Sequence, residues 1–238
     1  MKCSAILLTL FLLSACTINS PVSKYPVPLR SDNSSITQLA KSDFDRMADM
    51  EMEANTQSLR SLMIKLYKRN PNELKKSNSD NAETMTNSVF DQAKQHHWRF
   101  KQLQNKQDIE AIFLAFKSDY NGDRVLAFIV GMQTMMATAH NNKTDFYMTD
   151  ELDPQKIYNV ARNIEIAAWK LSNSRDENGQ LFLLTNEINE TNRNLSFERE
   201  FGKMIGRTDF YAIALAEKSQ RLISRIAQGI ASAVFLPF

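Results

Sequence analysis

From residue 35 onward, apolar positions recur at a helical period and are separated by short polar breaks. Residues 35–69 carry Ile36, Leu39, Met47, Met50, Ala54, Leu62 and Leu66, spaced at about 3.6 residues, which predicts one long amphipathic helix. Asn70-Pro71 ends it, because a residue preceding proline is pushed out of the helical region. Pro71 can itself open a short helix through Lys76, and Asp80 is placed to cap a further helix running to about Ala93. Residues 108–116 predict a short apolar helix, and Asp119-Tyr120-Asn121-Gly122-Asp123 a turn. Residues 124–140 are mostly apolar and predict a helix buried on several sides. Asp153-Pro154 reads as an N-cap followed by proline at the first helical position. The helix after it is expected to reach about Ser172, with Ile157, Val160, Ala161, Ile164, Ala168 and Leu171 inward. Asn178-Gly179 breaks the chain, and residues 180–184 (Gln-Leu-Phe-Leu-Leu) are the one stretch expected to form a strand, at an edge.

The strongest periodicity lies in residues 196–234. Phe197, Phe201, Met204, Thr208, Tyr211, Leu215, Ser219, Leu222, Ile226, Gly229 and Ala233 alternate steps of four and three, the spacing of a coiled-coil-like seam. One continuous helix of about 39 residues would be about 58 Å long, either the spine of a bundle or an arm toward a partner. Gly202 and Gly206 stand four apart on one face. Each costs about 1 kcal/mol against alanine in a helix interior, so close approach of another helix is a motive for keeping them and a kink is the alternative. The chain ends in the apolar run Val234-Phe235-Leu236-Pro237-Phe238, which either folds back onto the bundle or docks elsewhere; folding back is expected, because exposed terminal Phe and Leu are a liability.

Composition sharpens this picture. Glycine and proline are scarce, six each in 238 residues, and the expected fold is all-α: an irregular helical bundle with a long C-terminal helix, forming a single domain over residues 35–238. The net charge of +2 gives no global basic field, so no nucleic-acid partner is expected. Residues 17–34, with Pro21, Pro26, Pro28 and several Ser and Asn, read as a flexible tether.

The first residues have their own logic. Met1-Lys2 gives one positive charge, residues 5–13 form an apolar core, and Leu13-Ser14-Ala15-Cys16 follows. The core is well short of the about 20 residues that span a bilayer. Small residues at 14 and 15 suit a peptidase cleft, and the cysteine supplies a thiol for lipid attachment. These residues resemble the lipobox of bacterial lipoprotein precursors, and the resemblance covers residues 1–16 only. It implies cleavage before Cys16, a thioether diacylglycerol on Cys16 and usually an added N-acyl chain such as palmitate, enough for stable anchoring where a single chain would be marginal. The competing reading is an ordinary secretory signal cut after Ala15, for which Leu13-Ser14-Ala15 is a poor match. In Gram-negative lipoproteins an Asp after the lipidated cysteine commonly retains the protein in the inner membrane. Thr17 stands there instead, so the resemblance implies the outer membrane, periplasmic side. Removing fifteen residues from 238 would leave 223 with a net charge of +1 and no cysteine but Cys16, hence no intramolecular disulfide and no thiolate zinc site. Beyond residue 16 the chain resembles at most uncharacterised lipoproteins of Gram-negative envelopes.

Candidate chemistry is sparse. The three histidines are His96, His97 and His140, and no zinc-protease, serine-hydrolase, P-loop or dinucleotide motif occurs. His96 and His97 are adjacent, so on a helix they diverge by about 100°; they read as solvated or interfacial residues beside Trp98 in the polar run 92–106. Met132, Met136 and His140 fall on one helical stripe with Met135 beside it, and Met47, Met50 and Met52 form a second group. Thioether and imidazole suit Cu(I), but residues 125–136 are almost wholly apolar and methionine commonly fills core gaps, so core packing is expected and no metal or cofactor is assigned. Asp119, Asn121 and Asp123 alternate as calcium ligands do, yet Arg124 stands where the loop needs glycine and Val130 where it needs glutamate, so a capped turn is expected. Glu51 and Glu53 lie two apart and diverge, and no E-x-x-H accompanies them, so they make no di-iron set. The acidic residues Asp150, Glu151 and Asp153 suit a helix N-terminus.

The expectation is therefore a membrane-anchored envelope lipoprotein acting as a non-enzymatic binding or assembly module. It would be held to the membrane through the lipid on Cys16 and would engage an envelope protein partner through helix faces, with Phe197, Phe201, Leu222 and Ile226 as core or contact positions. The alternatives are a Cu(I)- or small-ligand-binding envelope protein and an envelope hydrolase without a recognisable motif.

Overall fold

A computed structural model describes residues 41–93, 95–143, 145–147, 151–188, 193–220 and 234–238. Among them the architecture is all-α, with seven α-helices, one short 3-10 turn and a minimal two-stranded ribbon.

Helix α1 (Asp43–Arg69) begins with a capping box: the backbone N–H of Asp45 donates to the Ser42 hydroxyl, and the Asp45 carboxylate accepts from the Ser42 backbone. Asn70 closes it, and Pro71 opens α2 (Pro71–Lys76), as the Asn-Pro step requires. The Asn70 side chain also donates to the Leu184 carbonyl and accepts from the Leu184 N–H, tying the segment after α6 to the end of α1. Helix α3 (Ala82–Ala93) is capped by Asn81, whose Oδ1 accepts from the N–H groups of Glu83 and Thr84. Asp80, the cap expected from the sequence, stands one residue too early to reach them.

After a 3-10 turn at Lys101–Leu103 come α4 (Asp108–Ala115) and α5 (Arg124–Ala139). Helix α5 is buried along almost its whole length, in keeping with its apolar sequence. Asp123 caps it, accepting from the Leu126 N–H. Helix α6 (Pro154–Asn173) starts at the Asp153 cap and turns Ile157, Val160, Ala161, Ile164 and Leu171 into the core. Helix α7 (Ser196–Ser219) packs against α6 and also against α1, while α1 further contacts α3 and α5. None of the described helices is long and apolar enough to cross a membrane.

Besides the Asp80 cap, two expectations need correction. The continuous helix over residues 196–234 does not form: α7 ends at Ser219, where Gln220 adopts a left-handed φ of 52° that stops the helix. The seam positions Phe197, Phe201, Met204, Thr208, Tyr211 and Leu215 are buried as predicted, whereas Leu222 and Ile226 lie outside the described residues. Residues 180–184 do not form a strand. They contribute one isolated antiparallel bridge, Arg175 to Leu181, and the ribbon lies later, β1 (Glu187–Ile188) against β2 (Arg193–Asn194), with Glu187 opposite Asn194.

The terminal residues lie on α6. Asn163 brackets Leu236, accepting from its N–H at 2.6 Å and donating to its carbonyl at 2.8 Å. Asn159 donates to the Pro237 carbonyl, and Phe235 meets Phe113 edge-to-face.

Candidate functional site

Three places gather chemistry. The first is a buried polar centre where α1, the end of α5 and α7 meet. Glu51 and Asn55 come from α1, His140 from the C-cap of α5, Thr208 and Tyr211 from α7. Asn55 Nδ2 donates to the Thr208 hydroxyl at 3.0 Å, and that hydroxyl donates to Glu51 Oε1. Arg207 closes the outer side, donating to Asn55 Oδ1 and the Ser58 hydroxyl. The His140 ring stacks on Tyr211, its Nδ1 lies 2.8 Å from the Met136 carbonyl, and its Nε2 lies 3.3 Å from Glu51 Oε2. A carbonyl only accepts, so Nδ1 carries a hydrogen and Nε2 is the ring atom turned toward Glu51. Burial, then the Glu51 charge, pushes the Tyr211 phenol above its ordinary range, so it stays neutral. His140 and Glu51 are sealed from solvent (0% and 6% exposed), with their contacts drawn from three helices.

The Met132–Met136–His140 stripe is part of this interior. Both thioethers are buried in the core, and both ring nitrogens of His140 face protein atoms. Met47 and Met52 pack partly buried against the core, while Met50 is exposed. Among the described residues no group of three or more His, Cys, Asp or Glu converges as a metal set.

The second place surrounds Asp123. Its carboxylate accepts from the Tyr67 hydroxyl at 2.7 Å, the Ser77 hydroxyl at 2.6 Å and the Leu126 N–H at 2.9 Å. Burial nonetheless raises its pKa, since the charge sits away from water. Beside it the Arg124 guanidinium donates to the carbonyls of Ala115, Lys117 and Tyr120. Asp123, one of the three alternating residues of the turn, is thus fully engaged as a structural cap, and Asp119 pairs with Lys117 at the surface.

The third place is open. A cleft of about 760 Å³ lies between the outer face of α1 and the face of α5 bearing Gln133 and Ala137, closed at one end by the segment after α3. Its size falls within the about 300–1,000 Å³ typical of small-ligand pockets. Thr56 and Gln57 line it from α1, Gln133 and Thr134 from α5, and His97, Trp98 and Gln107 from the intervening segment. The Thr56 hydroxyl donates to Gln133 Oε1 across the floor, leaving Gln133 Nε2 with no protein partner among the described residues. Trp98 is half-buried against Phe90, edge-to-face at 5.2 Å, and Arg60 covers that Phe90 ring. Three lining residues hold left-handed backbone: His97 (φ 49°), Trp98 (φ 58°) and Asn142 (φ 56°). Asparagine and histidine tolerate this well, but tryptophan does not, and its strain costs on the order of 1–3 kcal/mol. The segment is pinned by the Trp98 N–H to the Ala93 carbonyl and by Gln107 Nε2 to the His97 carbonyl.

The structure thus brings His97 and Trp98 to the cleft and leaves His96 exposed outside its lining. Glu53 reaches the cleft rim, while Glu51 faces inward, as their two-residue separation requires. Cys16 lies outside the described residues. Sequence reasoning overlooked Gln133 and the residues facing it. The available signal was Gln133-Thr134 itself, the one polar step inside the apolar run 125–136, together with a tryptophan in an otherwise polar segment. No protein-family model, curated protein or solved structure matches this chain.

Proposed function

We propose that this chain is a lipid-anchored binding module of the bacterial envelope, non-enzymatic and tethered through Cys16 to the periplasmic side of the outer membrane. The observation that carries the binding half is the cleft: an open recess whose polar groups converge and whose wall is held in strained backbone. Strain retained at a surface recess, where relaxation toward solvent is available, points to a shape kept for a ligand. The non-enzymatic half is supported by where the titratable groups stand. The buried Glu51–His140 pair is closed to solvent, and in the cleft the Asp49 carboxylate is already paired with Lys41 and accepts from the Phe146 N–H. The anchoring half rests on the lipobox-like Leu13-Ser14-Ala15-Cys16.

Two experiments test this. Cys16→Ser is expected to abolish incorporation of labelled lipid and release the protein from the membrane fraction, or stall its processing; unchanged labelling and fractionation would overturn the anchoring. Mild cross-linking of intact cells followed by purification of the tagged protein is expected to recover an envelope component bound through the cleft. Its loss on Trp98→Ala would support the assignment. Undiminished recovery with that variant would place the binding surface elsewhere.

A further inference from the structure

The chemistry of the cleft narrows its ligand, and this step rests on the binding-module reading above. Its charged lining residues are largely committed within the protein. Asp49 pairs with Lys41, Arg60 with Asp91, and Glu53 accepts from Gln57. Arg99 and Lys143 line the same recess as Asp49 and Glu53, so charges of both signs are interspersed and no dense field of one sign faces it. Neutral hydrogen-bonding groups dominate instead: Thr56, Gln57, Gln107, Gln133, Thr134 and Asn142. A side-chain amide presents a donor and an acceptor side by side. Gln133 has its carbonyl oxygen fixed by Thr56, which orients its Nε2. Trp98 adds a large, rigid surface with a polar tip, and Met52 and Ala137 add small apolar areas.

A ligand complementary to this lining carries many uncharged donors and acceptors at short spacing and also an apolar face. Vicinal hydroxyls and acetamido groups on a pyranose ring have that combination: an acetamido C=O and N–H match a glutamine amide, and the axial C–H face of the ring matches an indole. A polyanion would meet the Asp49 and Glu53 carboxylates as well as cations, and a purely apolar ligand would leave Gln133 Nε2 unpaired, at a cost of about 1–3 kcal/mol. We propose that the cleft between α1, α5 and residues 97–107 binds an uncharged acetamido-substituted oligosaccharide, with Trp98 as the ring platform and Gln133 as the oriented amide donor.

The test uses the full chain in a detergent without a sugar headgroup. The probe is the tetrasaccharide of N-acetylglucosamine, followed by calorimetry and by tryptophan fluorescence. The chain has two tryptophans, so Trp169→Phe leaves Trp98 as the only reporter. Saturable binding is expected, with a shift of Trp98 emission, and a loss of affinity of tenfold or more in both Trp98→Ala and Gln133→Leu. Each variant is checked for an unchanged far-ultraviolet spectrum. Because Gln133 is buried, Gln57→Ala, at an exposed position, serves as the second probe should Gln133→Leu fail to fold. Absence of heat and of an emission shift at millimolar sugar would overturn the proposal, as would binding that Trp98→Ala leaves intact. A sulfated oligosaccharide that binds through Trp98 where the neutral sugar does not would overturn the ligand class while leaving the binding module standing. Trp98-dependent sugar binding together with lipid labelling that Cys16→Ser leaves unchanged would do the reverse, keeping the ligand class and overturning the anchoring.

Discussion

Gly131 stands where α4 and α5 cross. A Cβ built on it would lie 2.6 Å from the Ile112 side chain and 2.7 Å from both the Asp108 carbonyl and the Ile112 nitrogen. Two of those atoms are backbone and cannot move aside cheaply. Gly131→Ala is therefore expected to destabilise by about 1–3 kcal/mol. Gly202 and Gly206 are the opposite case: nothing among the described atoms lies within 4 Å of a Cβ at either. Alanine there should stabilise by about 0.5–1 kcal/mol per site through helix propensity alone. Chemical denaturation of the three variants checks both signs. A loss of stability at Gly202 or Gly206 would mean that face is covered. The close approach inferred from the glycine pair in the sequence is thus found at a single glycine that carries no pattern, because what decides it is the partner helix rather than the spacing.

Asp108 adds a pH signature at the same scale. It opens α4 with φ 51°, and its carboxylate accepts from the Thr138 hydroxyl at 3.2 Å. Burial, the largest influence, raises its pKa above the ordinary value of 3.8 despite the hydrogen bonds from Thr134 and Thr138, which act to lower it. A carboxyl raised in the folded state contributes stability that is fully present below its unfolded pKa and lost as pH rises through the folded one. Asp108→Asn keeps an acceptor for Thr138 and tolerates the left-handed backbone. It is expected to melt higher than the parent at pH 7, with the gain vanishing below pH about 3.8, the ordinary aspartate value. A difference that does not narrow in acid would show that the carboxylate charge is not what burial penalises.

At the scale of elements, local signals were readable wherever the chain itself supplied the stop. Asn70-Pro71 and Asp153-Pro154 act through backbone sterics and capping that need no partner, and both stand where expected. The end of α7 was not readable, because the four-three seam continues past Ser219 while Gln220 turns the backbone away; periodicity records which face is apolar, not where the helix stops. Residues 180–184 have strand-like composition, but among the described residues their only ladder contact is the bridge from Leu181 to Arg175, and Leu184 is engaged by the Asn70 side chain instead. The terminal run was legible as an apolar segment in need of cover, though its partner was not. That partner is Asn163, a fully buried amide in α6 whose two hydrogen bonds hold the Leu236 backbone. Asn163→Ala removes both bonds and leaves the Leu236 N–H and C=O without them. A destabilisation of about 1–3 kcal/mol is expected, together with faster proteolytic removal of the last residues. Protease resistance equal to the parent would mean that Phe235 packing on Phe113 suffices to hold the tail.

On the scale of the whole molecule, the buried Glu51–His140 pair stands where α1, α5 and α7 meet. The pair was invisible in the sequence, since its members stand 89 residues apart on separate helices, one in a stripe with methionines and one in an acidic stretch. Removing one member of a buried pair leaves the other without compensation, typically at about 3–5 kcal/mol, whereas replacing both by apolar groups is often nearly neutral. His140→Leu alone is expected to fall in that range, because Glu51 Oε2 then faces only leucine. Adding Glu51→Leu should recover part of the loss but not all of it, since Glu51 also accepts from Asn55 and Thr208. A double-mutant cycle by urea denaturation measures this directly: the two substitutions together should cost less than the sum of their separate costs, by at least about 1 kcal/mol. Strict additivity would mean that the 3.3 Å approach carries no coupling and that the three helices are positioned by apolar packing alone. With coupling present, weakening the pair should also loosen the cleft, because α1 and α5 supply both the pair and the opposing cleft walls. Ligand affinity and stability would then fall together in His140→Leu and recover together in the double variant.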